Sequence, residues 1–121
     1  MSYVEDKFKL ASLVKEYILE CDALLSNIPR RDYYNRDKIK DDITNVLYLI
    51  YFTNNMEDKN NRLSYQYDIL ARLSMIDFYL ERAYLLKYIS EKQLRKYSKK
   101  LETIIKMTKG WIKSNGWCYN R

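Results

Sequence analysis

Apolar residues recur at three- and four-residue spacing along most of this chain, and the recurrence breaks at only a few places. Phe8, Leu10, Ala11, Val14, Tyr17, Ile18, Cys21, Leu24 and Leu25 form one such stripe, which predicts an amphipathic helix over about 5–27. Pro29 stops it, because the residue before a proline is pushed out of helical geometry. A second helix is expected over about 32–54, with Asp32 as its N-cap and Ile39, Ile43, Val46, Leu47, Ile50 and Tyr51 as its stripe. Asn54, Asn55 and the cluster Asp58–Asn61 read as the next turn. A third helix follows over about 61–88, with Leu63, Tyr67, Leu70, Leu73, Leu80 and Tyr84 as its main seam. Met75, Ile76, Phe78 and Tyr79 widen its apolar surface, which implies a second neighbour such as another subunit. Ser90 and Gln93 make an S-x-x-Q capping box for a fourth helix over about 90–114. Asn115-Gly116 is its expected stop, and the tail 116–121 is expected to fray.

Short connections favour antiparallel neighbours. The expected architecture is all-α, a single domain over 1–121 folded as an up-and-down antiparallel four-helix bundle. Composition agrees: two glycines and one proline in 121 residues are too few for a turn-rich sheet protein, and 47% hydrophobic residues exclude disorder. No apolar run reaches the length of a spanning helix. Met1–Leu10 lacks the apolar core of a signal peptide, so the expected location is cytoplasmic, with no membrane partner. Cys21 and Cys118 form no C-x-x-C pair and read as one small core residue and one near-terminal thiol.

Charge changes the picture. Ser90 to Arg121 holds nine Lys/Arg against Glu91 and Glu102, a net of +7, whereas the preceding 89 residues hold thirteen Lys/Arg against fourteen Asp/Glu. At about 100° per residue, Lys92, Arg95, Lys96, Lys99, Lys106 and Lys113 fall within an arc of roughly 100°. Leu94, Tyr97, Leu101, Ile104, Ile105, Trp111 and Ile112 occupy the opposite arc. One face is built to bury and the other is a cationic strip. Ordinary exposed helices intersperse Glu with Lys at i,i+4, and this strip has little of that compensation. Displaced counterions make a polyanion such as nucleic acid its natural partner. The bland alternative is a merely solvated helix face.

Catalysis finds little support. Histidine is absent, which removes the commonest general base and metal ligand. No phosphate-binding glycine loop or metal-ligand spacing occurs, so no cofactor is expected. Asp41-Asp42 and Glu57-Asp58 read as solvated carboxylates. Asp77 falls on the third helix's seam between Leu73 and Leu80. It is either a buried acid with a perturbed pKa or the partner of an arginine from a neighbouring helix or subunit. Gly110 before Trp111 favours close packing, with Trp111 filling the bundle's end or a subunit seam. Tyr33, Tyr34, Tyr48, Tyr51, Tyr65 and Tyr67 are candidates to stack on bases, although tyrosines at helical spacing more commonly pack in a core or an interface.

Three landmarks carry a resemblance: Ile28-Pro29-Arg30-Arg31, Ser74-Met75-Ile76-Asp77-Phe78-Tyr79-Leu80, and Ile105-Lys106-Met107 followed by Gly110-Trp111-Ile112. In order and spacing they resemble the accessory variability determinants of diversity-generating retroelements. These are four-helix-bundle proteins related to those encoded in intervening sequences of ribosomal RNA genes. The similarity covers roughly Lys7 to Asn115. It implies a homopentameric barrel with a basic lateral surface that binds RNA or DNA and docks the element's reverse transcriptase, without chemistry of its own. Phosphate contacts would then fall to Lys92, Arg95, Lys96, Lys99, Lys100, Lys106, Lys109 and Lys113, supported by Arg30, Arg31 and Arg36. Arg30 has another reading, a cation beside the C-terminal carbonyls of the first helix. The family carries arginines at the positions of Asp77 and Glu81, so here the basic function has moved to the fourth helix or the partner differs. The alternative is an intervening-sequence-type interaction module whose basic helix meets an acidic protein.

Overall fold

A computed structural model describes residues 8–114. Four helices account for most of them: α1 Lys9–Leu25, α2 Tyr33–Asn54, α3 Lys59–Leu85 and α4 Glu91–Lys113, with a short 3-10 turn at Arg30–Asp32. Each helix lies beside its neighbours in the chain, and α4 closes against α1. The result is a four-helix bundle, with no strand among the described residues. No helix of the described residues is long and apolar enough to cross a membrane.

Local chemistry sets the boundaries. α1 starts at Lys9, four residues later than expected from its stripe, because Phe8 is extended (φ −88°, ψ 104°) and turns its ring into the core. The Asp32 carboxylate caps α2 by accepting the Asn35 N–H at 3.3 Å. Asp58 caps α3, accepting the N–H groups of Asn60 and Asn61 at 3.0 and 3.3 Å. Asn60 and Asn61 therefore belong to the helix and not to the turn. At the start of α4 the capping box is complete: Gln93 N–H donates to Ser90 Oγ at 3.1 Å, and Ser90 N–H donates to Gln93 Oε1 at 2.8 Å. Each such cap satisfies backbone donors that a helix start otherwise leaves open, worth about 1 kcal/mol. The expected stop at Asn115-Gly116, the tail and Cys118 lie outside the described residues.

The core runs the length of the bundle. Val14, Tyr17, Ile39, Ile43, Ile50, Ile69, Leu73, Ile76, Leu80, Leu101, Ile104 and Trp111 are almost wholly buried. Each large aliphatic side chain so buried stabilises by about 1.5–3 kcal/mol. Trp111 packs edge-on against Phe8, with centroids 5.0 Å apart, and closes one end.

On α3 the buried line differs from the expected seam. Arg62, Gln66, Ile69, Leu73, Ile76, Tyr79, Leu80 and Ala83 point inward, while Leu63 and Tyr67 are exposed. The helix is rotated toward the line that carries more β-branched bulk, and Arg62 reaches that position by donating from Nη1 to the Met56 carbonyl at 2.7 Å. Asp77 is consequently exposed, and its carboxylate accepts from Ser98 Oγ at 3.4 Å. Neither expected setting for Asp77 is realised within the protomer.

Candidate nucleic-acid interface

α4 divides cleanly. Tyr97, Leu101, Ile104, Thr108 and Trp111 are buried, whereas Lys92, Arg95, Lys96, Lys99, Lys106, Lys109 and Lys113 are exposed. Two tyrosines lock this orientation. The Tyr17 hydroxyl donates to the Tyr97 carbonyl at 3.0 Å, and the Tyr97 hydroxyl donates to the Glu20 carbonyl at 2.8 Å. These reciprocal bonds between α1 and α4 fix the helix's rotation, and rotation decides which side the lysines face.

The strip is less bare than its sequence suggests. Glu91 pairs with Arg95, and Glu102 with Lys106 at 3.3 Å, both at i,i+4. Both acids of the segment thus lie among its cations, a spacing readable from the sequence. Lys100 sits off the strip, half-buried in an ion pair with Glu20 of α1. Lys96 lies 5.5 Å from the Tyr97 ring centroid. Lys92, Lys99, Lys109 and Lys113 have no acidic partner among the described residues.

The arginines called in support lie elsewhere. Arg30 and Arg31 are exposed in the 3-10 turn, at the same end of the bundle as the start of α4. Arg36, on α2, sits beside Asp37 at 3.6 Å. That end is tied together by Asp32, whose Oδ2 accepts from Arg82 Nη1 at 3.0 Å and from the Tyr88 hydroxyl at 2.9 Å. Burial works against the Asp32 anion, but the Tyr88 and Arg82 bonds win and hold its pKa below the ordinary carboxylate range.

A groove of about 400 Å³ separates α3 from α4 along the strip's edge. Asp77 and Glu102 line it together with Arg95, Ser98 and Lys99, over the Leu101 side chain. Its mixed charge makes it a poor phosphate cradle, and of the lysines without acidic partners among the described residues, Lys92, Lys109 and Lys113 stand outside it. Asp42, expected to be solvated, is half-buried on α2 and lies 3.7 Å from Arg72. Burial raises its pKa despite that arginine.

All six candidate stacking tyrosines are exposed. Tyr48 stacks on Phe52 at 5.9 Å, and Phe52 meets Tyr65 edge-on at 5.2 Å, so an aromatic patch bridges α2 and α3 away from the lysines. Among the described residues no group of three or more Cys, Asp or Glu side chains is placed to hold a metal ion. No family model, curated protein or solved structure matches this chain.

Proposed function

We propose that this chain is a non-catalytic, cytoplasmic accessory protein of a diversity-generating retroelement, which binds nucleic acid and docks the element's reverse transcriptase. The observation that carries the reading is the segregation along α4. One face is locked into the core by Tyr97, while the other presents Lys92, Lys99, Lys109 and Lys113 without acidic partners among the described residues. These cations extend over most of a 23-residue helix, about 34 Å at 1.5 Å per residue. Phosphate oxygens are the ligand that repays such an arrangement, since each neutralised phosphate releases condensed counterions. The resemblance carried by Ile28-Pro29-Arg30-Arg31 and Gly110-Trp111-Ile112 supplies the retroelement and the polymerase partner.

The same resemblance gives a homopentamer, and the exposed side chains of Tyr67, Met75, Phe78 and Leu85 on α3 support burial against a second copy. A ring of five would join the strips into a collar and steepen the salt dependence of binding. The alternative is a module whose basic helix docks an acidic protein; the carboxylates of Asp77 and Glu102 in the groove beside the strip repel phosphate and acidic side chains alike and so favour neither reading.

Fluorescence anisotropy with duplex RNA, single-stranded DNA and an RNA–DNA hybrid across a salt series tests the first reading. It requires a steep negative slope of log K against log salt, flattened in the K92E/K96E/K99E variant. Unchanged affinity in that variant removes the strip. Sedimentation equilibrium tests the assembly, and a monomer at micromolar concentration refutes it.

A further inference from the structure

Lys87 has φ = 66°, the one non-glycine residue with positive φ among the described residues. It follows the end of α3, where the Tyr88 N–H donates to the Ala83 carbonyl and the Lys87 N–H to the Tyr84 carbonyl, both at 2.9 Å. This pair of bonds is the Schellman arrangement, and its left-handed position is ordinarily glycine because a Cβ is crowded there. A lysine at this point carries a conformational penalty that glycine would remove. A cation also suits the carbonyl end of a helix, but Arg82 already stands in the last turn of α3.

What surrounds Lys87 suggests why a charge is kept there. The Asp32–Tyr88 hydrogen bond brings the α1–α2 and α3–α4 junctions together. Arg30 and Arg31 precede Asp32, Tyr33 follows it, Lys87 precedes Tyr88, and Lys92 stands in the first turn of α4. The Arg31 cation works against the rise that the Asp32 hydrogen bond imposes on the Tyr88 pKa. Arg30, Arg31, Lys87 and Lys92 are exposed and have no acidic partner among the described residues, since Asp32 is engaged by Arg82 and Glu91 by Arg95. Tyr33 is 61% exposed and its ring has no aromatic or cationic neighbour among the described residues. Tyr34, one position along, meets Tyr79 and Lys38 instead. An exposed aromatic face at an end of the bundle that also carries cations without acidic partners is how proteins hold single strands: the ring stacks a base and the cations track the backbone.

We infer that this end of the bundle is a second contact for nucleic acid, selective for single-stranded segments. Tyr33 stacks a base, while Arg30, Arg31 and Lys87 neutralise the flanking phosphates. Lys92 joins it to the α4 strip, so a strand leaving the strip turns over the end of the bundle. The inference rests on the nucleic-acid reading above and adds to it the form of the ligand and the residues that read it.

Lys87→Gly is the decisive variant, because folding and binding should move in opposite directions. Its thermal midpoint should rise, while its affinity for a short fluorescent oligothymidylate falls. The slope of log K against log salt should lose about 0.7, one single-strand phosphate. Tyr33→Ala should weaken the same probe about fivefold to a hundredfold, with little change in slope. Duplex RNA should be nearly indifferent to both substitutions. If Lys87→Gly and Tyr33→Ala both bind oligothymidylate as the parent does, the end site is overturned while the strip stands. The same holds if the parent binds duplex but no single strand. Loss of all nucleic-acid binding in the parent at about 50 mM salt refutes the broader reading and this one with it.

Discussion

Cys21 offers a test of the core that needs no partner. Its thiol is 1% exposed on the inner face of α1, and burial pushes its pKa up to about 12 from an ordinary 9.0. The carboxylates of Glu20 and Asp22 add to the rise, and the Lys100 cation works against it. Burial raises Tyr17 still further, so that phenol keeps its proton through the accessible alkaline range. The sign follows from linkage. Between pH 9 and pH 12 the unfolded chain has released the Cys21 proton and the folded chain has not, so the folded state binds more protons and stability falls as pH rises. Three units at about 1.4 kcal/mol each make the full loss about 4 kcal/mol. Only about a third of it is reached by pH 10, where unfolded tyrosines begin to ionise and Tyr17 joins. Against a total of roughly 5–15 kcal/mol, this is a large share. Urea unfolding from pH 7 to pH 11 measures it. The Cys21→Ala variant should start lower, because it loses packing, and then decline more shallowly than the parent between pH 9 and pH 10. The offset and the slope are separate quantities. Parallel profiles for the two proteins would refute a buried, protonated Cys21 as a source of alkaline lability.

Two further substitutions probe buried polar groups. Gln66 is fully buried on α3, and neither polar atom of its amide has a hydrogen-bond partner among the described residues. Gln66→Met keeps the shape and removes the desolvated amide, so urea unfolding should show a gain of about 1–3 kcal/mol, and a loss would mean the amide is satisfied in solution. Arg82 bonds Asp32 at 3.0 Å and the buried Asn35 Oδ1 at 2.9 Å. Arg82→Ala leaves that amide oxygen without its donor and should cost about 2–3 kcal/mol, against less than 1 for removing an ordinary surface arginine.

Helix existence was legible in this sequence because apolar period and caps agreed. Asp32, and the Ser90–Gln93 pair, mark the starts of α2 and α4 where the structure has them. The rotation of α3 was not legible. Leu73 and Leu80 of the expected seam are buried, but Leu63 and Tyr67 lose the inward position to Ile69 and Ile76, and the buried line begins with Arg62 and Gln66, which hydropathy assigns to solvent. The Arg62 guanidinium donates to the Met56 carbonyl, a contact no periodicity reveals. That error carried Asp77 to the wrong side of the helix. α4 escaped the ambiguity because its cations and apolar residues occupy opposite arcs, so only one rotation buries the right set. The departure of Lys100 from the strip depended on Glu20 standing opposite it on α1, which is tertiary information. Lys87 carried no local signal at all, since its left-handed conformation follows from where α3 ends and where the Ser90 box begins.

Salt provides the sharpest separation between a strip kept for a ligand and a merely solvated face. Lys92 and Lys96, Arg95 and Lys99, and Lys109 and Lys113 are like charges at i,i+4 on one helix. Each such pair opposes the helix by a few tenths of a kcal/mol, and only Glu91 and Glu102 offset them within α4. The partly buried pairs that tie helices together, Glu20–Lys100 and Asp32–Arg82, are less open to screening. Raising sodium chloride from about 0.1 M to 1 M shortens the screening length from about 10 Å to 3 Å, below the spacing of neighbouring turns, and relieves the repulsion. Stability of the free protein should therefore rise with salt while nucleic-acid affinity falls. A bound polyanion should also raise the thermal midpoint at low salt, by mass action and by neutralising the same charges. Both salt effects should shrink together in the K92E/K96E/K99E variant, which turns repulsion into pairing. If the free protein instead loses stability with salt, favourable ion pairs outweigh the repulsion. The strip would then be an internally neutralised surface with no excess charge to offer a polyanion.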